Sequence, residues 1–431
     1  MAGDTPTAYR NQVMYAVFVR NHSAEGTFEG VRKDLARIRA LGVDVVWLLP
    51  IHPIGVVGRV GTLGSPYAIA DYRGINPAYG TRTNFVALVD AIHDAGMRVI
   101  IDVVYNHTSP DSWLAAHRPE WFHRCADGTM GNKVGEWADV VDLDYGRAEL
   151  WDYQIETLVE WARVVDGFRC DVAALVPLEF WVRARAAVAA VRPDCLWLAE
   201  SVEAIFTAEN RDRGMTSLSD GELYQAFDVT YEYDVFEWWR AYLEGRCTLA
   251  EYAGRVSAQD TAYPANYIKL RFLENHDTWR AAYLLPEPRA RENWTAFSYF
   301  QKGMTLVYAG QERNARHLPS LFEPDPVDWT GEDSSDLYAR LARVKKHPGL
   351  RDSRYDVAAL PGEVLYARHR FGDRQLTGVF SVRGEAAVVP TGIPDGMYTN
   401  LIDDQPVEVR RGLLVTPGTP VIVESVREGS A

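Results

Sequence analysis

Val164-Val165-Asp166-Gly167-Phe168-Arg169-Cys170-Asp171 is a mainly apolar run that closes on a carboxylate, with an arginine two places before it. Two further runs end the same way. Cys195-Leu196-Trp197-Leu198-Ala199 stops at Glu200, and Ile268-Lys269-Leu270-Arg271-Phe272-Leu273-Glu274-Asn275-His276 stops at Asp277. Strands buried on both faces read as short apolar stretches, and a closed α/β barrel gathers the carboxyl ends of its strands round one pocket. Three acids far apart in the chain therefore converge if these runs are barrel strands.

Outward from these runs, strand-like and helix-like segments alternate. Strands are predicted at 13–19, 44–50, 98–105, 166–171, 195–200, 223–229, 268–274 and 304–308. Helical periodicity falls at 28–40, 84–95, 147–163, 177–191 and 334–346, and Gly42 and Gly96 follow two of these as stop signals. Such alternation predicts the α/β class, here a (β/α)8 TIM barrel. The pattern lapses from 108 to 144, where Pro, Gly, Trp and His are frequent, and a stretch that long inside a barrel reads as a short excursion domain after the third strand. Beyond His347-Pro348-Gly349, strand-length runs separated by turn residues suit an antiparallel β-sandwich. The expected domains are barrel at 1–107 and 145–348, excursion at 108–144 and sandwich at 349–431.

Of the 431 residues, 47% are hydrophobic, enough for a large core, and the net charge of −14 argues against nucleic acid or an anionic membrane as partner. Cys125, Cys170, Cys195 and Cys247 show no CxxC spacing, and two of them sit in strand-like runs as small buried hydrophobes. A reducing compartment is the simpler expectation. The apolar run at 13–19 is short and leads into Arg20, so it reads as a strand, not a signal peptide, and no stretch is long enough to span a membrane. These features predict a cytoplasmic protein.

The acids suit glycoside chemistry. Retaining hydrolysis needs a nucleophilic carboxylate on one face of the sugar and a protonated acid on the leaving-group side. Asp171 suits the first role, because Arg169 projects from the same strand face and a fixed cation favours the ionised form. Glu200 suits the second, since its apolar approach raises a carboxyl pKa toward that of a general acid. Asp277 is a third acid for the developing charge, and His276 and His107 can donate hydrogen bonds to the same ring. Aromatic rings stack on sugars, and Trp113, Trp121, Trp137 and Trp279 are expected in loops near the pocket. Histidines at metal-ligand spacing are missing, which argues against a metal-dependent barrel hydrolase.

Together with these residues, Asp102-Val103-Val104-Tyr105-Asn106-His107, Val141-Asp142-Leu143-Asp144, Asn275-His276-Asp277 and Gly303-Met304-Thr305-Leu306-Val307-Tyr308-Ala309-Gly310-Gln311-Glu312 form an ordered set. In that order and spacing the chain resembles the α-amylase family of glycoside hydrolases over essentially its whole length. The resemblance implies cleavage of α-glucosidic bonds, most simply α-1,4, in malto-oligosaccharides or α-glucan through a covalent glycosyl-enzyme. It implies Asp171 as nucleophile, Glu200 as acid/base and Asp277 as transition-state stabiliser. Substrate contacts would come from Tyr67, His107, Arg169 and His276, with Asp102 and Asn106 as structural support. Asn106 also matches a calcium-ligand position in calcium-binding relatives. Two departures matter. Ala68 follows Tyr67 where exo-glucosidases of the family commonly carry an aspartate, and Val172-Ala173-Ala174-Leu175 stands where many amylases have a Lys-His pair. No cofactor is therefore required, while calcium stays possible. An α-glucosidase or transglucosidase using the same acids, and a carbohydrate-binding barrel without turnover, stay open as alternatives.

Overall fold

The computed structural model describes residues 2–135 and 137–426, so Glu136 of the expected excursion and the ends of the first and last expected domains, at residues 1 and 427–431, lie outside the described residues. Eight parallel strands close into a barrel: β1 Val13–Val17, β2 Val45–Leu48, β3 Arg98–Val103, β4 Gly167–Cys170, β5 Leu196–Ala199, β6 Val229–Tyr231, β7 Lys269–Arg271 and β8 Met304–Tyr308. Each strand pairs with its sequence neighbours, and β1 pairs with β8 to seal the ring. Nearly every strand residue is buried, because helices cover one face and barrel side chains fill the other. Each fully buried Val, Leu or Ile contributes roughly 1.5–3 kcal/mol of transfer free energy.

Two expectations are corrected. The sixth strand is Val229–Tyr231, not 223–229. Ser219 and Glu222 form a reciprocal capping box that starts the helical turn Asp220–Leu223, so the apolar Leu223 and Phe227 belong to a buried helical approach. The helix expected at 28–40 is two pieces, Phe28–Lys33 and Leu35–Ala40, broken at Asp34. The Asp34 carboxylate is held there by His22 at 2.9 Å and Arg37 at 2.6 Å.

Residues 108–144 contain the helix Trp113–His117 and a two-stranded pairing of His107–Thr108 with Val141–Asp142. That pairing anchors the segment at the carboxyl end of β3. The last part of the chain forms two antiparallel four-stranded sheets. Val364, Tyr366, Val379, Leu414 and Val423 fill the space between them. The first sheet, which includes Arg374–Ser381, also packs on the barrel helix Pro288–Phe300, with Phe380 meeting Phe297 at 5.4 Å. All four cysteines are free thiols.

Candidate active site

Barrel register sets the site. Asp102 on β3 pairs with Arg169 on β4, which pairs with Leu198 on β5, so the acid and the arginine lie at one level of the barrel. One step beyond the strands, Asp171 N–H donates to the Val103 carbonyl at 2.9 Å and Glu200 N–H to the Cys170 carbonyl at 3.0 Å. Continuation of the ladder therefore places Asp171 and Glu200 side by side at the barrel mouth.

Arg169 organises the carboxylates. Its Nη1 donates to Asp102 at 2.9 and 3.0 Å and to Asp171 Oδ1 at 2.8 Å. Its Nη2 lies 2.8 Å from Glu200 Oε1, an ion pair without hydrogen-bond alignment, so among the described residues this nitrogen has no hydrogen-bond partner. Nε donates to the Tyr231 hydroxyl at 3.2 Å. Trp47, Tyr67 and Tyr231 surround the guanidinium at 5.3–5.6 Å from their ring centres. The second Glu200 oxygen accepts the Val172 N–H at 2.7 Å. Val172 adopts φ 35°, a left-handed conformation that costs a β-branched residue energy, and the turn directs its N–H at Glu200.

Burial pushes the Glu200 carboxyl up to about 8, opposed by Arg169 and reinforced by Asp171 and Asp277. Asp171 is also pushed up by burial, to about 7, with Arg169 opposing and Asp102 reinforcing. Arg169 favours the ionised form of Asp171 as expected, but burial outweighs it. One cation is shared by three buried carboxyl groups, since Asp102 too is raised to about 7 by burial. Both acids at the mouth are thus raised by burial, and Arg169 opposes the rise in each.

The remaining candidates surround this pair. Tyr67 Oη is 3.2 Å from Asp102 Oδ2 and 2.6 Å from His276 Nε2, and its ring stacks near-parallel on His276. A hydroxyl has one proton; donation to Asp102 assigns Nε2–H to His276, which also faces Asp277 Oδ2 at 3.1 Å. Burial lowers His276 and His107 to about 4, so both rings are neutral near pH 7. His107 Nδ1 faces the Asn106 amide nitrogen at 3.2 Å, which leaves Nε2–H pointing at Asp171 Oδ2, 3.9 Å away. Asp277 is 41% exposed and opens onto the cavity.

These groups line a cavity of ≈ 300 Å³ together with Ser65, Trp137, Asp139, Val140, Val172 and Phe322. Of the four tryptophans expected near the pocket, Trp137 lines it. Trp113 instead stacks on His117 and Tyr153, Trp121 is buried against Tyr153, and Trp279 stacks on Tyr283. Ser65, Asp139, Val140 and Phe322 escaped the sequence reading because they lie on aperiodic loops; for Ser65, its place two residues before Tyr67 was the available signal. A larger recess of ≈ 790 Å³ lies on the C-terminal sheet, lined by Val388, Val407, Leu413 and Val415, and holds none of the acids.

Asn106 Nδ2 donates to Asp142 Oδ1 at 3.3 Å, and the other Asp142 oxygen accepts the Lys133 N–H at 2.8 Å. Residues 172–175 supply no polar side chain, and among the described residues no cluster of three or more His, Cys, Asp or Glu could hold a metal.

The comparisons agree with this geometry. Residues 12–131 match the model of the α-amylase catalytic domain, and residues 356–423 match that of the bacterial α-amylase C-terminal domain. The crystal structure of an α-amylase from Lactobacillus plantarum is 50% identical with TM-score 0.95, covering 97% of this chain and 100% of that one. A maltogenic α-amylase from Thermotoga neapolitana is 34% identical with TM-score 0.85, covering 97% and 99%. The α-1,4-glucan:maltose-1-phosphate maltosyltransferase of Rhodospirillum rubrum is 32% identical over 286 residues, 61% of this chain. The chain spans only 38% of that relative's length. A barrel with this acid cluster and these matches along its length is a glucan-active enzyme fold, and the chain belongs to the α-amylase family. Among the described residues no helix is long and apolar enough to cross a membrane.

Proposed function

We propose that the protein is a retaining hydrolase of α-glucosidic bonds, most simply α-1,4, in malto-oligosaccharides or α-glucan. The observation that carries this reading is the single guanidinium of Arg169 touching both Asp171 and Glu200, which keeps the two acids close enough for double displacement. Asp171 attacks the anomeric carbon while Glu200 gives its proton to the departing oxygen. A glycosyl ester on Asp171 results, and Glu200, now a carboxylate, takes a proton from the water that cleaves it. Val172 N–H and Arg169 steady that carboxylate. Asp277 and the His107 N–H face the sugar as positive charge and hydroxyl contacts develop, and His276, through its Nε2–H, holds Tyr67 and Asp277 in place. The residues act without bound calcium.

A second reading is supported by the maltosyltransferase relative: the same ester passes its glycosyl group to another sugar. Both share one test for the first step, since Asp171→Asn should abolish every change in the chain-length distribution of maltodextrin. Product analysis at high oligosaccharide concentration separates them, because a transferase accumulates longer chains and a hydrolase does not.

A further inference from the structure

Residues 55–64 follow β2 and form a loop with four glycines, three of them at positive φ. The loop is tied at both ends of its span. Val56 and Val57 N–H donate to Asp111 Oδ2 at 2.8 and 3.3 Å, which fixes one end to the excursion. At the other end Thr62 N–H donates to Glu323 Oε1 at 2.9 Å, the Thr62 hydroxyl donates to Oε2, and Leu63 N–H donates to the Phe322 carbonyl at 3.0 Å. Gly61 is pressed so closely on this second loop that a Cβ would stand 2.7 Å from both Glu323 Oε1 and Phe322 Cβ.

These two loops form a thin partition. Ser65 and Phe322 face the catalytic cavity, whereas Leu63, Arg59 and Pro324 line a separate recess of ≈ 440 Å³. The partition's place in the barrel decides its effect. The loops follow β2 and β8, which flank β1, and in the closed strand order β1 stands opposite β5, the strand that carries Glu200. The leaving group departs on the side of the acid. The glycosyl part of the substrate therefore extends the other way, into the partition. The cavity that Ser65 and Phe322 border, with loop 55–64 packed behind them, is at the small end for a ligand pocket.

We infer that loop 55–64, latched to Phe322 and Glu323, is a wall that limits how many sugar units fit on the non-reducing side of the scissile bond, so that the enzyme removes short segments from chain ends. This inference rests on the α-glucan-cleaving reading and adds the direction and length of attack. Ala68 fits it, because the wall and not a clamp on the terminal hydroxyls sets the length.

The test uses the full chain on maltoheptaose and on maltoheptaose carrying a bulky group at its non-reducing end. The wild type should give glucose and maltose as first products and cleave the unblocked substrate at least ~10-fold faster, by kcat/KM, than the blocked one. Glu323→Ala removes the latch, and Gly61→Val pushes the loops apart. Both should let longer first products appear and narrow that ratio to ~2–3-fold. Maltotriose and longer chains as first wild-type products, or an unchanged ratio in both variants, would overturn the wall while leaving glucan cleavage intact. No turnover of any α-glucan by the wild type would overturn the proposed function and the inference with it.

Discussion

Asp171 and Glu200 meet the two terminal nitrogens of one guanidinium, each at 2.8 Å, so the span of a single Arg169 side chain separates the two acids. Arg169 has no exposed surface and carries Asp102 as well. The site is therefore a buried cluster of three carboxyl groups on one cation, and its behaviour follows from that ratio.

Catalysis as proposed needs Asp171 ionised and Glu200 protonated. Activity should rise as pH passes about 7 and Asp171 loses its proton, then fall as pH passes about 8 and Glu200 loses its own. A kcat/KM profile on maltotriose should be a narrow bell between these limbs. A profile flat from acid to alkaline pH would contradict the assignment.

Glu200→Gln removes the acid but leaves the fold. With a poorly departing sugar, kcat should drop by ~10²–10⁴-fold, whereas an aryl glucoside with an acidic phenol should be spared most of that loss in the first step. Equal losses on both substrates would remove Glu200 from the role.

The same burial has a cost in stability. Asp102, Asp171 and Glu200 all lie above the ordinary carboxylate range in the fold, so the folded chain keeps protons that the unfolded chain has released. Their contribution is complete at acid pH, below the unfolded values, and is lost as pH rises through about 7 to 8. Glu200→Gln should thus gain ~1 kcal/mol, or roughly 2 °C in Tm, at pH 8.5, and less at pH 5. Calorimetry at both pH values checks the sign. Arg169→Met should behave oppositely, costing ~3–5 kcal/mol, because it strands three buried carboxyl groups.

Chelation tests the calcium proposal. Dialysis against EDTA should leave Tm and maltotriose hydrolysis unchanged, since Asn106 and Asp142 are already bonded to each other. Loss of activity that calcium alone restores would contradict it.

Much of the fold was legible in the sequence, because a barrel strand buried on both faces leaves a short apolar run whose end is marked by a polar residue. Arg169 and Asp171 could be assigned to one face from their spacing alone. The sixth strand was misplaced because Val229–Tyr231 is short and follows an apolar helical turn whose capping box at Ser219 outweighs strand propensity. The break at Asp34 depends on His22 and Arg37 reaching one carboxylate, a tertiary contact that periodicity does not encode. In the site, the acids were readable but their charge balance was not. Sharing one arginine among Asp102, Asp171 and Glu200 is a three-dimensional fact, as is the approach of Phe322 to a loop more than two hundred residues earlier.

Trapping the glycosyl ester tests the central claim most directly. The wild-type chain, incubated with a slow-reacting fluorinated glucosyl fluoride and digested, should yield one peptide heavier by a single fluoroglucosyl group, with the mass on Asp171. A label on Glu200 or Asp277, or turnover of the reagent with no labelled peptide under any quench condition, would contradict it.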